Sequence, residues 1–126
     1  MKLLDAMYSI VSAEGQQLRL QLHPEHEIYQ AHFPGNPITP GVCQVQIVAE
    51  LAGRQLQRHL TLHRVVNLKF TAPVSPVETP QIDVTLASLS EAEDYVKVKG
   101  SIAAAETGTL MTKFSLEFKY EALWKE

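Results

Sequence analysis

A chain of 126 residues with 45% hydrophobic and 20% charged residues has the composition of an ordinary globular protein, which excludes a disordered or fibrous one. Its one cysteine, Cys43, excludes an internal disulfide and a zinc site of several thiolates, and a formal net charge of −3 gives no reason to expect nucleic acid as a partner. No run of about 18 apolar residues is present to span a membrane, and Met1 to Ile10, with Lys2 and Asp5 and no long apolar stretch, does not read as a cleaved leader, so the expected compartment is the cytoplasm.

The first predicted elements are strands. Met7 to Ala13 is a weak apolar run, Glu14 and Gly15 supply turn chemistry, and Gln17 to His23 alternates strictly, placing Leu18, Leu20 and Leu22 on one buried face. The pair is either a hairpin or two separate strands of the sheet. Pro24, Pro34, Gly35, Asn36, Pro37 and Pro40 then forbid a long regular element, apart from a short helical turn over Glu25 to Ala31. Prolines fix φ and restrict the residue before them, so this loop is expected to be stiff enough to hold a side chain in place.

From Gly41 to about His59 the apolar stripe Val45, Val48, Ala52 and Leu56, flanked by Ile47 and Leu51, predicts the one long helix, with Thr39 as its N-cap and Pro40 as its first residue. Four alternating runs follow, with apolar phases Val66, Leu68, Phe70; Ile82, Val84, Leu86; Val96, Val98, Ile102; and Phe114, Leu116, Phe118, Tyr120. Pro73 to Pro80, Ser88 to Asp94 and Ala103 to Gly108 separate them. No repeat breaks the pattern, so residues 1–126 are expected to form one α+β domain, a helix packed on an antiparallel sheet.

The residues that carry chemistry are local. His32 to Val42 reads His, Phe, Pro, Gly, Asn, Pro, Ile, Thr, Pro, Gly, Val, and this segment resembles the signature loop of the beta-hydroxyacyl-ACP dehydratases. Lys69, Phe70, Pro73, Val74 and Pro76 are similar to the strand and proline-rich turn that follow the helix in that family. The resemblance implies a hot-dog fold, in which a curved antiparallel sheet wraps a central helix. It also implies removal of water from an acyl thioester carried by acyl carrier protein, without metal or redox cofactor.

Carried over by position, the resemblance makes His32 the base on the α carbon, a task suited to an imidazole with reference pKa about 6.5. It makes the Gly41 N–H the contact to the thioester carbonyl, at a helix start where unpaired N–H groups suit developing negative charge, and Phe33, Pro40 and Val42 further substrate contacts. The bland readings are a histidine fixed in a stiff loop and a glycine that permits close packing.

One position departs from the family. The carboxylate one helical turn beyond the valine is here Gln46, and the usual glutamine one turn later is here Glu50. An amide cannot act as a general acid, but positions 46 and 50 share a helix face. Three readings stay open: Glu50 is the relocated acid; Gln46 holds the hydroxyl or a water by hydrogen bonds; or the site binds without catalysing. In the family the pocket lies at a dimer interface, taking the histidine from one chain and the acid from the other, so a homodimer or larger homo-oligomer is expected. The same geometry admits an inactive partner subunit of an active paralogue. A hot-dog thioesterase using Glu50 and a water is the alternative enzyme.

Between Leu51 and Val77 there is no Asp or Glu, while Arg54, Arg58, Arg64 and Lys69 occur there. They are the candidate contacts to an acidic carrier protein, against the plainer reading of a solvated helix end. Cys43 reads as a small hydrophobe in the helix, and His23 and His26 as solvated residues without a metal-ligand constellation.

Overall fold

A computed structural model describes residues 2–121; Met1 and residues 122–126 of the expected 1–126 domain lie outside the described residues. In chain order the elements are β1 (Tyr8–Glu14), β2 (Gln17–Leu22), α1 (Glu27–Ala31), α2 (Gly41–Leu56), β3 (Leu60–Phe70), β4 (Gln81–Glu91), β5 (Tyr95–Ala104) and β6 (Leu110–Tyr120). The strands form one antiparallel sheet in the order β1-β2-β4-β5-β6-β3. β1 and β2 are a hairpin, turned at Gly15, which settles the alternative left open by the sequence.

α2 packs against this sheet. Cys43, Gln44, Val45, Ile47, Val48, Ala49, Leu51, Ala52 and Gly53 are all buried, so the helix is enclosed around most of its circumference rather than along one stripe. Val84, Leu86, Val96, Val98, Ile102, Leu116 and Phe118 pack in the same core, as the period-two pattern of β4, β5 and β6 requires. Between Gly41 and its last two residues, Gln55 and Leu56, α2 leaves uncovered a ridge at four-residue spacing: Val42, Gln46, Glu50 and Arg54. Burial of the residues between them aligns the two that depart from the family pattern.

Several sequence expectations need correction. Thr39 is not the N-cap; Pro40 occupies that position with extended backbone and no side-chain cap, because the Thr39 hydroxyl is bonded to Tyr29 instead. α2 stops at Leu56, where Gln57 turns left-handed and Arg58 N–H bonds back to Gly53, so Gln57 to His59 are a turn rather than helix. Ser88 to Glu91 belong to β4 rather than to a connection. The apolar phase Val66, Leu68, Phe70 is not buried, because β3 is an edge strand paired with β6 alone, and Val66 and Phe70 are exposed.

Candidate active site

The loop before α2 is shaped by its own sequence. Asn36 N–H bonds to Phe33 C=O across Pro34 and Gly35, with Gly35 at φ 85°, the residue pattern of a type II turn. Pro34 pre-sets the second position and only glycine adopts the third without strain. Phe33 itself is left-handed at φ 65°, a costly conformation for an aromatic residue. Its ring packs against the His32 imidazole at 4.5 Å between centroids. His32 closes α1, its N–H bonded to Ile28 C=O, so helix, turn and ring contact together fix a half-buried imidazole.

The start of α2 faces the same space. His32, Ile38, Thr39, Pro40, Gly41 and Gln44 line a cavity of about 370 Å³ with Phe70 to Pro73. Gly41 permits close approach there, since a Cβ would stand 2.8 Å from the Phe70 ring and push it aside. The first N–H groups of a helix have no intrahelical acceptor, so this end of the cavity presents donors to a negatively charged oxygen.

A buried polar network supports this end, and the sequence reading missed most of it. Tyr29 and Thr39 share a hydroxyl bond of 2.7 Å, Gln44 Nε2 donates to Thr39 C=O at 3.2 Å, and Thr112 Oγ1 donates to Gln44 Oε1 at 2.6 Å. Thr39 N–H also bonds to Val74 C=O. The peptide that leads into Pro40 and Gly41 is thus held from α1, α2, β6 and the segment after β3. Burial pushes the Tyr29 phenol up to about 12. A signal was available in the sequence: Gln44 is a polar residue on the ridge that continues with Val48 and Ala52.

The other two expected catalytic residues open elsewhere. Gln46 and Glu50 line a larger cleft of about 730 Å³ with Lys2, Leu4, Arg54, Arg58, His59 and the start of β3. The rise of α2 separates Gly41 from Glu50 by roughly 13 Å along the axis. Within one chain His32 and Glu50 therefore do not share an opening.

Glu50 is fully engaged. Its Oε2 accepts from Leu3 N–H at 2.7 Å and from Gln46 Nε2 at 2.9 Å. Its Oε1 accepts from Leu4 N–H and from the Tyr8 hydroxyl, both at 2.9 Å. Burial, and then the bond to Glu50, push the Tyr8 phenol far above its ordinary range. Nothing in the sequence pattern marked Leu3, Leu4 or Tyr8 as partners of this carboxylate.

The expected substrate contacts are divided as well. Pro40 lines the His32 cavity, whereas Phe33 and Val42 are 55% and 69% exposed at its margin. Of the four cations, Arg54 and Arg58 line the Glu50 cleft, and Arg58 also lies over the Tyr120 ring at 4.1 Å. Arg64 is paired with Glu117 at 3.4 Å on β3, and Lys69 stands at the far end of that strand, roughly 30 Å from its start at strand rise. Two of the four thus share the Glu50 cleft and the other two are spaced along the β3 edge, rather than all four forming one patch. Cys43 is buried, which pushes its thiol up and keeps it a hydrophobe. His23 bonds to the Ser9 hydroxyl and His26 caps α1.

Comparison with known proteins gives this arrangement a family. The profile of the ApeI-like family, ApeI dehydratase, matches residues 9–108, a span that contains the whole lining of the His32 cavity and most of that of the Gln46 cleft, Lys2, Leu4 and Glu121 excepted. The chain belongs to the ApeI-like dehydratase family. A 3-hydroxyacyl-[acyl-carrier-protein] dehydratase of Rickettsia bellii is 32% identical over 97 residues, covering 68% of this chain and 67% of the relative. Its counterpart in Latilactobacillus sakei is 28% identical and covers 93% of this chain and 89% of its own length. Solved structures bear out the hot-dog fold: the dehydratase heterocomplex ApeI:P of Xenorhabdus doucetiae (TM-score 0.56, 17% identity, 86% of this chain and 92% of that one) and a thioesterase of Haemophilus influenzae (TM-score 0.62, 13%, 96% and 82%). At these identities the ApeI-like dehydratase chain shares their fold and nothing finer is implied. No described helix is long and apolar enough to cross a membrane.

Proposed function

We propose that this chain dehydrates beta-hydroxyacyl thioesters carried on acyl carrier protein, with His32 as the base. The observation that carries the reading is that a fixed imidazole and the amino terminus of α2 line one cavity. His32 takes the α proton. The electron pair of that C–H bond forms the Cα=Cβ bond as the Cβ–O bond breaks, and the thioester oxygen, gaining negative charge, accepts from the Gly41 N–H. The departing oxygen takes the proton now held on the His32 imidazolium and leaves as water, which returns His32 to the neutral base and gives the trans-2-enoyl thioester. Pro40 borders the acyl chain, and Phe33 and Val42, exposed in the single chain, are covered when a second chain docks.

The second chain is part of the reading. β3 offers an unpaired edge of 11 residues with Leu62, Val65 and Val66 exposed, a surface that suits pairing with another hot-dog chain. Dimerisation there brings the His32 cavity of one chain toward the Gln46 cleft of the other, as in the family's two-chain site. Lys2, Arg54 and Arg58, on the rim of that cleft, are the candidate contacts to the acidic carrier.

A specific observation favours a second reading of the partner: position 46 is an amide. The partner is then a related chain with a carboxylic acid at this position rather than a second copy; the Xenorhabdus doucetiae neighbour of the same fold is a dehydratase heterocomplex, which supports this reading. Mass spectrometry of a beta-hydroxyacyl-ACP incubated with the pure chain tests the proposal. Loss of one water that disappears in His32→Ala is the expected result. Release of free acid would make the protein a thioesterase, and no reaction until an acid-bearing relative is added would establish the mixed pair.

A further inference from the structure

The carboxylate of Glu50 receives four donors, two on each oxygen. Two of them are the consecutive N–H groups of Leu3 and Leu4. These begin a tight turn in which Met7 N–H bonds to Leu3 C=O at 2.7 Å, so they point out of the turn with no acceptor inside it, as at the start of a helix. The turn is itself packed: Leu3, Met7 and Tyr8 are buried, and Asp5 takes the left-handed conformation at φ 69° to return the chain into β1. The Glu50 side chain is what satisfies this segment's outward donors, and charge-assisted bonds of this kind are roughly twice as strong as neutral ones. Lys2 and Leu4, at the head of the segment, form a wall of the Gln46 cleft.

We infer that Glu50 is a positioning residue that anchors the amino-terminal strap, Leu3 to Tyr8, as a fixed wall of the Gln46 cleft, and that its carboxylate is not the proton donor of the reaction. Adding a proton to either oxygen would set an O–H against two donors already aimed at that oxygen. A proton could be carried only after one of the four bonds is given up, and two of those bonds come from backbone groups that cannot rotate away. Gln46 is the fourth donor. Its amide one turn earlier on the ridge completes the shell around Glu50, which accounts for the paired exchange of residues at 46 and 50: a carboxylate at 46 would replace a donor by a second negative charge within about 3 Å of the first.

This inference deepens the dehydratase reading by assigning one of its candidate residues, and it is tested by a measurement that does not need turnover. Amide hydrogen exchange is followed by NMR in the full chain and in Glu50→Gln and Tyr8→Phe. In Glu50→Gln an NH₂ group faces donors, and the Leu3 and Leu4 amides are expected to exchange at least about 10-fold faster while Val45 to Ala52 of α2 stay protected. Tyr8→Phe removes one donor of four and is expected to give a smaller acceleration of the same amides, which keeps the test intact if Glu50→Gln unfolds. Unchanged Leu3 and Leu4 exchange in Glu50→Gln, or in Tyr8→Phe should the first not fold, overturns the anchor. Dehydration assayed alongside keeps the two claims apart: a 100-fold loss of turnover in Glu50→Gln with an unmoved strap makes Glu50 the acid, whereas a wild type that never turns over removes the proposed function and leaves the exchange result to decide the anchor.

Discussion

The two ends of the uncovered ridge on α2 are built for different work. At the amino-terminal end Val42 adjoins a cavity where His32 and Gly41 present a base and a hydrogen-bond donor, and every supporting group points its capacity inward, away from that space: Gln44 to Thr39 and Thr112, Tyr29 to Thr39. Further along, Gln46 and Glu50 spend theirs on each other and on the strap. The first end keeps functional groups available by satisfying their neighbours; the second satisfies the functional groups themselves. Finding a carboxylate on the correct helix face is therefore not enough to assign it a proton-transfer role, because the donors around it decide whether it can carry a proton.

The largest effect that would break this contrast is on activity. His32→Ala is expected to lower dehydration by about 10² to 10⁴, the usual contribution of a general base, while Gln46→Ala should cost far less; equal losses, measured as kcat/KM with one beta-hydroxyacyl-ACP, would erase the distinction between the two ends. Next is stability. Gln44→Leu strands the buried Thr112 hydroxyl and the Thr39 carbonyl, and should destabilise the fold by about 2 kcal/mol in urea titration, with Gln44→Glu no rescue because Thr39 C=O would then face a carboxylate.

The network also sets a pH limit. Tyr29, pushed up to about 12 by burial, has a folded pKa above its unfolded value of about 10. The stability it contributes is complete below about pH 10 and is lost as pH rises toward 12. Ultraviolet titration should show this phenol ionising only with unfolding, and ionisation near pH 10 in the folded protein would place it outside the core. The smallest change is expected of Gly41→Ala. Its Cβ first meets the Phe70 ring, a half-exposed side chain rather than backbone, so stability should stay within about 0.5 kcal/mol, while KM for the acyl substrate rises a few-fold as the ring shifts into the cavity.

Much of this was legible in the sequence. The period-two runs located β2, β4, β5 and β6, because those strands bury one face, a weaker apolar run marked β1, and the breakers between His23 and Gly41 marked the loop that holds His32. The motif from His32 to Val42 brought the fold and the His32 cavity with it. β3 misled because its apolar phase, Val66, Leu68 and Phe70, follows the same pattern as a core strand although it lies at an edge, and strand order is not written in periodicity. The fate of Glu50 was illegible for a different reason. Its partners at Leu3, Leu4 and Tyr8 are more than 40 residues away in the chain, and two of them bind through backbone N–H groups, which carry no residue-specific signal.

The most direct test of the contrast between the two ends is the rate of water loss from a beta-hydroxyacyl-ACP by the doubly exchanged chain, Gln46→Glu with Glu50→Gln, measured against the wild type. A carboxylic acid at position 46 beside an amide at 50 should raise the rate at least about 10-fold, even though the strap is loosened. A fall in rate, with activity following the carboxylate at Glu50, would contradict the account and identify Glu50 as the working acid.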